Sequence, residues 1–183
     1  MKRHIFYTLM TMVTLLFVAS VPGVSIAQGF AGTWNIDKAQ SKHADFFDEV
    51  GIIIRIIPNG ENKMTIEQTV TSEYDEIINS TNVDLNGSET ISAWSRGDLP
   101  VFGYEAVAIG SDQTVKTKAV QGTDKSSFDL ISYFTVVVSQ GTYNIVLHSL
   151  YQLSPDGKTL TVTNTRNSRE QSEPVIYVFH RMN

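Results

Sequence analysis

The sequence predicts an all-β domain, and three observations point to it. Short apolar runs alternate with polar residues at a period of two, turn residues punctuate the chain at strand-length intervals, and a Gly-x-Trp step, Gly32-Thr33-Trp34, opens the first run. Period two buries one face of each strand and wets the other, the pattern of an antiparallel barrel or sandwich.

The alternation is cleanest in three places. Over 64–70, Met64, Ile66, Gln68 and Val70 share one face, opposite Thr65, Glu67 and Thr69. Over 128–138 the apolar face is Phe128, Leu130, Phe134, Val136 and Val138, interrupted by Ser132. Over 143–153 it is Tyr143, Ile145, Leu147, Tyr151 and Leu153, interrupted by Ser149. Leu160 and Val162 continue the pattern beyond Pro155-Asp156-Gly157. Further turns are expected at Pro58-Asn59-Gly60, Asn86-Gly87, Ser111-Asp112, Gln121-Gly122 and Gln140-Gly141, where residues tolerate positive φ or bond their own backbone. One stretch departs from the strand pattern. Phe46, Phe47 and Val50 recur at helical spacing behind Asp37 and Ser41, so a short helix or lid is expected over 38–50, after the first strand.

Residues 1–27 read as a secretory signal peptide: Lys2 and Arg3, an apolar stretch from Ile5 to Ala19, Pro22, and small residues at Ser25 and Ala27. The apolar stretch is shorter than the roughly 20 residues that span a bilayer, so cleavage after Ala27 is expected and no transmembrane segment remains. Residues 28–183 then form one domain, located in the periplasm or secreted. Removing Lys2 and Arg3 takes the formal net charge from −5 to −7, which argues against a nucleic-acid partner. The chain has no cysteine, so the fold holds by its core, and thiolate chemistry is excluded.

The stretch Phe30-Ala31-Gly32-Thr33-Trp34, followed by Ser41, Phe47, Asp48 and Gly51, resembles the opening of the fatty-acid-binding-protein branch of the calycins. The hairpin 154–162 and the run Tyr177-Val178-Phe179-His180-Arg181 are similar to the end of exported bacterial lipocalin-like domains. The resemblance implies one up-and-down antiparallel barrel of about eight to ten strands. It also implies structural roles for Trp34 and Arg181, the guanidinium lying against the indole to close the base. Fatty-acid-binding proteins hold a carboxylate with Arg-x-Tyr on the final strand, whereas Tyr177 here follows Val175 at that spacing.

No catalytic constellation is recognisable. His43, His148 and His180 match no zinc spacing, and no nucleophile elbow or phosphate loop is present. Residues 84–88 begin like a calcium loop but lack its later glycine and glutamate, so a hairpin turn is expected. His148 lies on the polar face of its run and is expected outside. No metal or cofactor is expected, and no enzyme activity.

These readings favour a monomeric binding barrel holding a small lipophilic or amphipathic ligand. Parity places Ile54, Ile66, Gln68, Phe128, Ser132, Phe134, Ser149 and Tyr151 on its inner wall. With no cation among the expected inward residues, a neutral or weakly polar lipophile is favoured over a fatty acid. The alternatives are a filled barrel that binds a partner through loops such as 98–103, and a barrel enzyme using His148 as base.

Overall fold

The computed structural model describes residues 25–42, 51–71, 73, 76–94, 113–138, 141–167 and 173–183. A five-residue helix, α1 (Ile26–Phe30), leads into ten strands: β1 (Gly32–Lys42), β2 (Gly51–Pro58), β3 (Lys63–Thr71), β4 (Glu76–Asp84), β5 (Asn86–Trp94), β6 (Gln113–Gln121), β7 (Ser127–Val138), β8 (Gly141–Leu153), β9 (Thr159–Arg166) and β10 (Val175–Arg181). All pair antiparallel in the order β4-β3-β2-β1-β10-β9-β8-β7-β6-β5. Sequence neighbours pair throughout except β4 and β5, and β1 pairs with β10, so the sheet curls into a nearly closed up-and-down barrel.

The two ends of the sheet, β4 and β5, meet at a seam. Among the described residues no backbone ladder joins them; side-chain hydroxyls do that work instead. Asn82 N–H donates to Ser92 Oγ at 2.9 Å, and Asn82 C=O accepts from the hydroxyls of Thr90 and, at 3.2 Å, Thr117. The backbone of Asn82 on the edge strand β4 is thereby satisfied without a ladder.

Strand direction sorts the connections to two ends. The turns at 59–62, Leu85, 122–126 and 154–158 lie at one end, the base. The base is also where α1 enters. Ile26, Ala27 and Phe30 are buried, and Phe30 packs edge-on to Phe128, which stacks on Tyr151 with centroids 4.6 Å apart. Full burial of a ring such as Phe30 contributes about 1.5–3 kcal/mol.

Arg181 fastens this end. Its guanidinium carbon lies 4.1 Å from the Trp34 ring centroid. Nε donates to Gly157 C=O at 2.8 Å, Nη2 to Gly29 C=O at 3.2 Å, and Nη1 to Ala31 C=O. Trp34 Nε1 donates to Phe30 C=O at 3.1 Å. Gly32 is required by the same clasp: its φ is +141°, and a Cβ there would stand 2.6 Å from Arg181 Nη1. Gly157, at φ +68°, makes the tight turn that offers its carbonyl to Nε.

The helix or lid expected over 38–50 is met differently. Residues 38–42 belong to β1, and 43–50 lie outside the described residues. Asp37 does cap a turn: its carboxylate accepts from Gln40 N–H at 3.0 Å, and Ser41 Oγ donates back to Asp37 C=O at 2.8 Å. That turn is absorbed as a bulge, after which pairing with β10 resumes at Lys42↔Ile176. The helix cap signal was genuine local chemistry placed inside a strand.

Four turn aspartates share a feature. Asp37 and Asp84 are held below the usual carboxylate range chiefly by backbone N–H donors, from Gln40 and Asn86. Asp124 and Asp156 are held low chiefly by the hydroxyls of Ser126 and Ser154. A carboxyl depressed in the folded state contributes stability above its unfolded value, near 3.9, and that contribution is lost as pH falls through the folded value. The urea midpoint is therefore expected to stay level above about pH 5 and to fall below about pH 4. Asp156→Asn should make that acid limb shallower; an unchanged limb would remove the turn carboxylates as its cause. Separately, Arg181→Met should cost roughly 2–4 kcal/mol in chemical denaturation by stranding three carbonyls. Arg181→Lys should cost less, and a loss below about 0.5 kcal/mol for Met would show the clasp to be incidental.

Candidate functional site

The inner wall follows from parity. On β3, β8 and β9 buried residues fall at every second position, and opposed residues in the ladders share a face. The eight residues expected inside are all buried, Gln68 being the most exposed at 8%. They do not form one lining. Phe128 and Tyr151 belong to the packed base beside Phe30, and burial raises the Tyr151 hydroxyl pKa. Ile54 and Ile66 join the same apolar cluster on the β2–β3 wall. Gln68, Ser132, Ser149 and Phe134 lie further from the base.

Those polar residues belong to a belt that crosses the β6–β9 wall. Thr117 opposes Ser132, Ser132 opposes Leu147, and Leu147 opposes Arg166; beside that row, Ser149 opposes Asn164. Thr117, Ser132, Ser149 and Asn164 are each at most 2% exposed. Apolar side chains flank the belt on both sides. Toward the base lie Leu130, Val162 and Tyr177; on the other side Val115, Phe134 and Ile145 are buried but separate from the main cluster. Gln68 stands on β3, five strands from β8 in the ten-strand order, and so on the facing wall.

The belt is incompletely bonded within the protein. Gln68 Nε2, Ser132 Oγ and Ser149 Oγ are buried without a hydrogen-bond partner. Each such group costs about 1–3 kcal/mol relative to its solvated state. Buried polar groups are ordinarily paired, and those left over need an explanation, a ligand being one.

Arg166 corrects the expectation that no cation faces inward. It sits two residues beyond Asn164 and directly opposite the 1%-exposed Leu147, on the inner face, with Nε and Nη1 buried. The signal was present in the sequence. The alternation Leu160, Val162 runs on through Asn164 to Arg166.

The outer wall holds a different feature. A groove of about 570 Å³ is lined by Thr114, Lys116, Tyr133, Thr135, Asn144 and Val146, with Phe134 and Ile145 beneath. The six named first occupy the outward positions of β6, β7 and β8, opposed as Lys116↔Tyr133↔Val146 and Thr135↔Asn144. It is open, with a lining more apolar than polar, and it lies on the far side of the sheet from the belt.

No family model matches the chain, and no curated protein matches it. Among solved structures, it is similar to a redesigned β barrel, mFAP1, bound to DFHBI. The identity is 12%, the match covers 86% of this chain and 98% of that one, and the TM-score is 0.36.

The remaining candidates lie apart from the interior. His148 is exposed on the outside of β8. His180 Nε2 is 3.0 Å from Asp37 Oδ2 at the outer surface. Tyr143 shares the inward parity of β8 but is 48% exposed at the strand's end. Asp84 pairs with Lys63 at 3.7 Å and accepts from Asn86 N–H across the tight turn at Leu85 between β4 and β5. Among the described residues no group of three or more His, Cys, Asp or Glu could hold a metal ion, and no helix is long and apolar enough to cross a membrane. His43, the Ser111-Asp112 turn and the loop 98–103 lie outside the described residues.

The unpartnered hydroxyls give a stability test. Removing a buried hydroxyl that makes no bond leaves nothing unsatisfied, so Ser132→Ala and Ser149→Ala should hold or raise the stability of the ligand-free protein. Thr117→Ala, which removes seam bonds, should lower it by about 1 kcal/mol or more. A loss for the serine variants matching that for Thr117 would mean that they are bonded within the barrel.

Proposed function

We propose that this chain is an exported carrier, a monomeric barrel that holds a small amphipathic ligand in its interior and performs no chemistry on it. The single observation that carries the reading is the belt of buried polar atoms, Gln68 Nε2, Ser132 Oγ and Ser149 Oγ, left unbonded between apolar walls. A filled core of native quality pairs such groups or omits them. A pocket that is mostly apolar, with a few convergent polar groups, is the ordinary construction of a small-molecule site.

The export part of the reading places the mature N-terminus at Gln28, inside α1. Cleavage there would remove Ser25, whose hydroxyl accepts from Gln28 N–H, together with the buried Ile26 and Ala27. It would spare the clasp, because every carbonyl that Arg181 and the Trp34 indole bond near the N-terminus belongs to residues 29–31. Processing and a closed base are thus compatible.

The interior reading is tested with the neutral fluorescent probe N-phenyl-1-naphthylamine. Saturable binding should be lost in the lumen-filling variants Ser149→Phe and Ser132→Leu and kept in Tyr133→Arg on the outer groove. Cooperative thermal unfolding of each variant shows that it is folded. Loss with Tyr133→Arg alone would move the site to the outer groove, and no binding by the unaltered protein would leave a filled barrel.

The export reading has its own test. N-terminal sequencing of the protein from its host should begin near Gln28. A chain starting at Gln28 should fold with a lower midpoint than one starting at Ser25, since Ile26 alone buries a side chain worth about 1.5–3 kcal/mol. An intact Met1 in a membrane fraction would contradict export by cleavage.

A further inference from the structure

We infer that Gln28 is a modification site: once it heads the mature chain it closes on itself, and the exported protein ends in a neutral pyroglutamyl lactam. This rests on the export part of the carrier reading, which puts cleavage between Ala27 and Gln28.

Cleavage strips Gln28 of what holds it in the longer chain. In α1 its N–H donates to Ser25 Oγ at 3.2 Å, and Gly29 N–H donates to Ser25 C=O at 3.1 Å. Both acceptors depart with Ser25. Gln28 is exposed, and its side-chain amide has no hydrogen bond among the described residues. A new α-amine and an unengaged amide then stand on one solvent-facing residue, spaced to close a ring.

The step needs no co-reactant. The unprotonated α-amine attacks Cδ of its own side chain, the N–Cδ bond forms, and the Cδ–Nε2 bond breaks. A proton from the attacking nitrogen passes to the departing one, which leaves as ammonia. α-Amines ordinarily titrate near about 7.7–8.0, so the unprotonated form is present at neutral pH.

The surroundings favour the ring over an ammonium. Arg181 Nη2 lies 3.2 Å from Gly29 C=O, and Nη1 bonds Ala31 C=O, so a cation on Gln28 would stand beside a guanidinium. A like charge close by disfavours the charged form. Ile26 and Ala27 are buried, and their removal bares apolar surface of the base next to Gln28. An ammonium held against that surface loses solvation, which a neutral lactam does not.

Ring closure also spares the fold. It uses only the α-nitrogen and the side chain, so Gln28 C=O still accepts from Ala31 N–H at 3.3 Å. The carbonyls of Gly29 and Ala31 still reach Arg181. Those carbonyls give the lactam its role. Stepwise digestion from a free amine would pass through Gln28 to Gly29 and Ala31 and dismantle the clasp. A lactam offers an aminopeptidase no primary amine, and the base is sealed at its one open end.

Mass spectrometry of the intact mature protein, freshly purified from its host, tests the inference, with the terminal fragment sequenced in the same instrument. The chain should begin at residue 28 and be lighter by one ammonia than the glutamine form. A chain beginning at Gln28 with amine and amide intact would overturn the lactam and leave export by cleavage standing. A chain beginning elsewhere would overturn the cleavage site and the lactam together. Protein prepared with Gln28 at its N-terminus, and shown to be folded by cooperative unfolding, should convert on incubation at neutral pH; persistence of the glutamine form would overturn the inference. Gln28→Ala keeps the same start but cannot cyclise. Aminopeptidase treatment should leave the cyclised protein whole, and should shorten Gln28→Ala and lower its urea midpoint toward that of Arg181→Met. Equal resistance of the two proteins would overturn the protective role.

Discussion

The clasp of Arg181 on Trp34 is the constraint from which the rest of the barrel follows. One guanidinium reaches the carbonyls of Gly29, Ala31 and Gly157 and covers the indole ring. It therefore ties the first strand, the last strand, the β8–β9 turn and the segment ahead of β1 into one corner. Because β1 and β10 are also hydrogen-bonded neighbours, fastening this corner sets the register of the step that turns a meander into a cylinder, with Trp34 opposite Arg181. The absence of a side chain at Gly32 belongs to the same arrangement, as does the positive φ of Gly157.

With the base fixed and packed by aromatic rings, the interior changes character with height. Near Phe30, Phe128 and Tyr151 it is a close-packed core of the kind that stabilises any domain. Above it the wall turns polar without turning wet, and the protein does not bond all the groups it buries there. On the carrier reading proposed above, stability and binding draw on different layers of one structure. The base is apolar, whereas the belt holds buried polar atoms without a partner, the feature on which the carrier reading rests. The seam between β4 and β5 contrasts with the belt: Ser92, Thr90 and Thr117 use their hydroxyls for the protein's own backbone.

Much of the fold was legible because a strand has a strict period. Alternation in 64–70, 128–138 and 143–153 placed seven of the eight expected inner residues among the buried ones, Ile54 on β2 being the eighth, and the Pro58-Asn59-Gly60, Gln121-Gly122 and Pro155-Asp156-Gly157 signals fell between paired strands. What escaped did so for physical reasons. Asp37 and Ser41 make real capping bonds, so their local chemistry reads as a helix start, while the pairing that absorbs them into a bulge is contributed by β10, some 140 positions away in sequence. The helix α1 was not read because Ser25 and Ala27 match a peptidase site, and small residues suit a tight helix under a barrel equally well. Tyr143 has the inward parity but stands at a strand's end, where burial depends on what covers it. Arg166 was missed although its parity was available: a cation near a strand end reads as solvated, and only its place opposite the buried Leu147 turns it inward.

The central claim, that the belt was built for something other than the protein itself, is tested most directly by a crystal structure of the protein purified from its own host without delipidation. The account predicts continuous density of an elongated molecule between Gln68 and Ser149, with a polar end within hydrogen-bond distance of Ser149 Oγ or Ser132 Oγ. An interior in which Gln68 Nε2, Ser132 Oγ and Ser149 Oγ bond one another or neighbouring protein atoms, with no space between the walls, would contradict it.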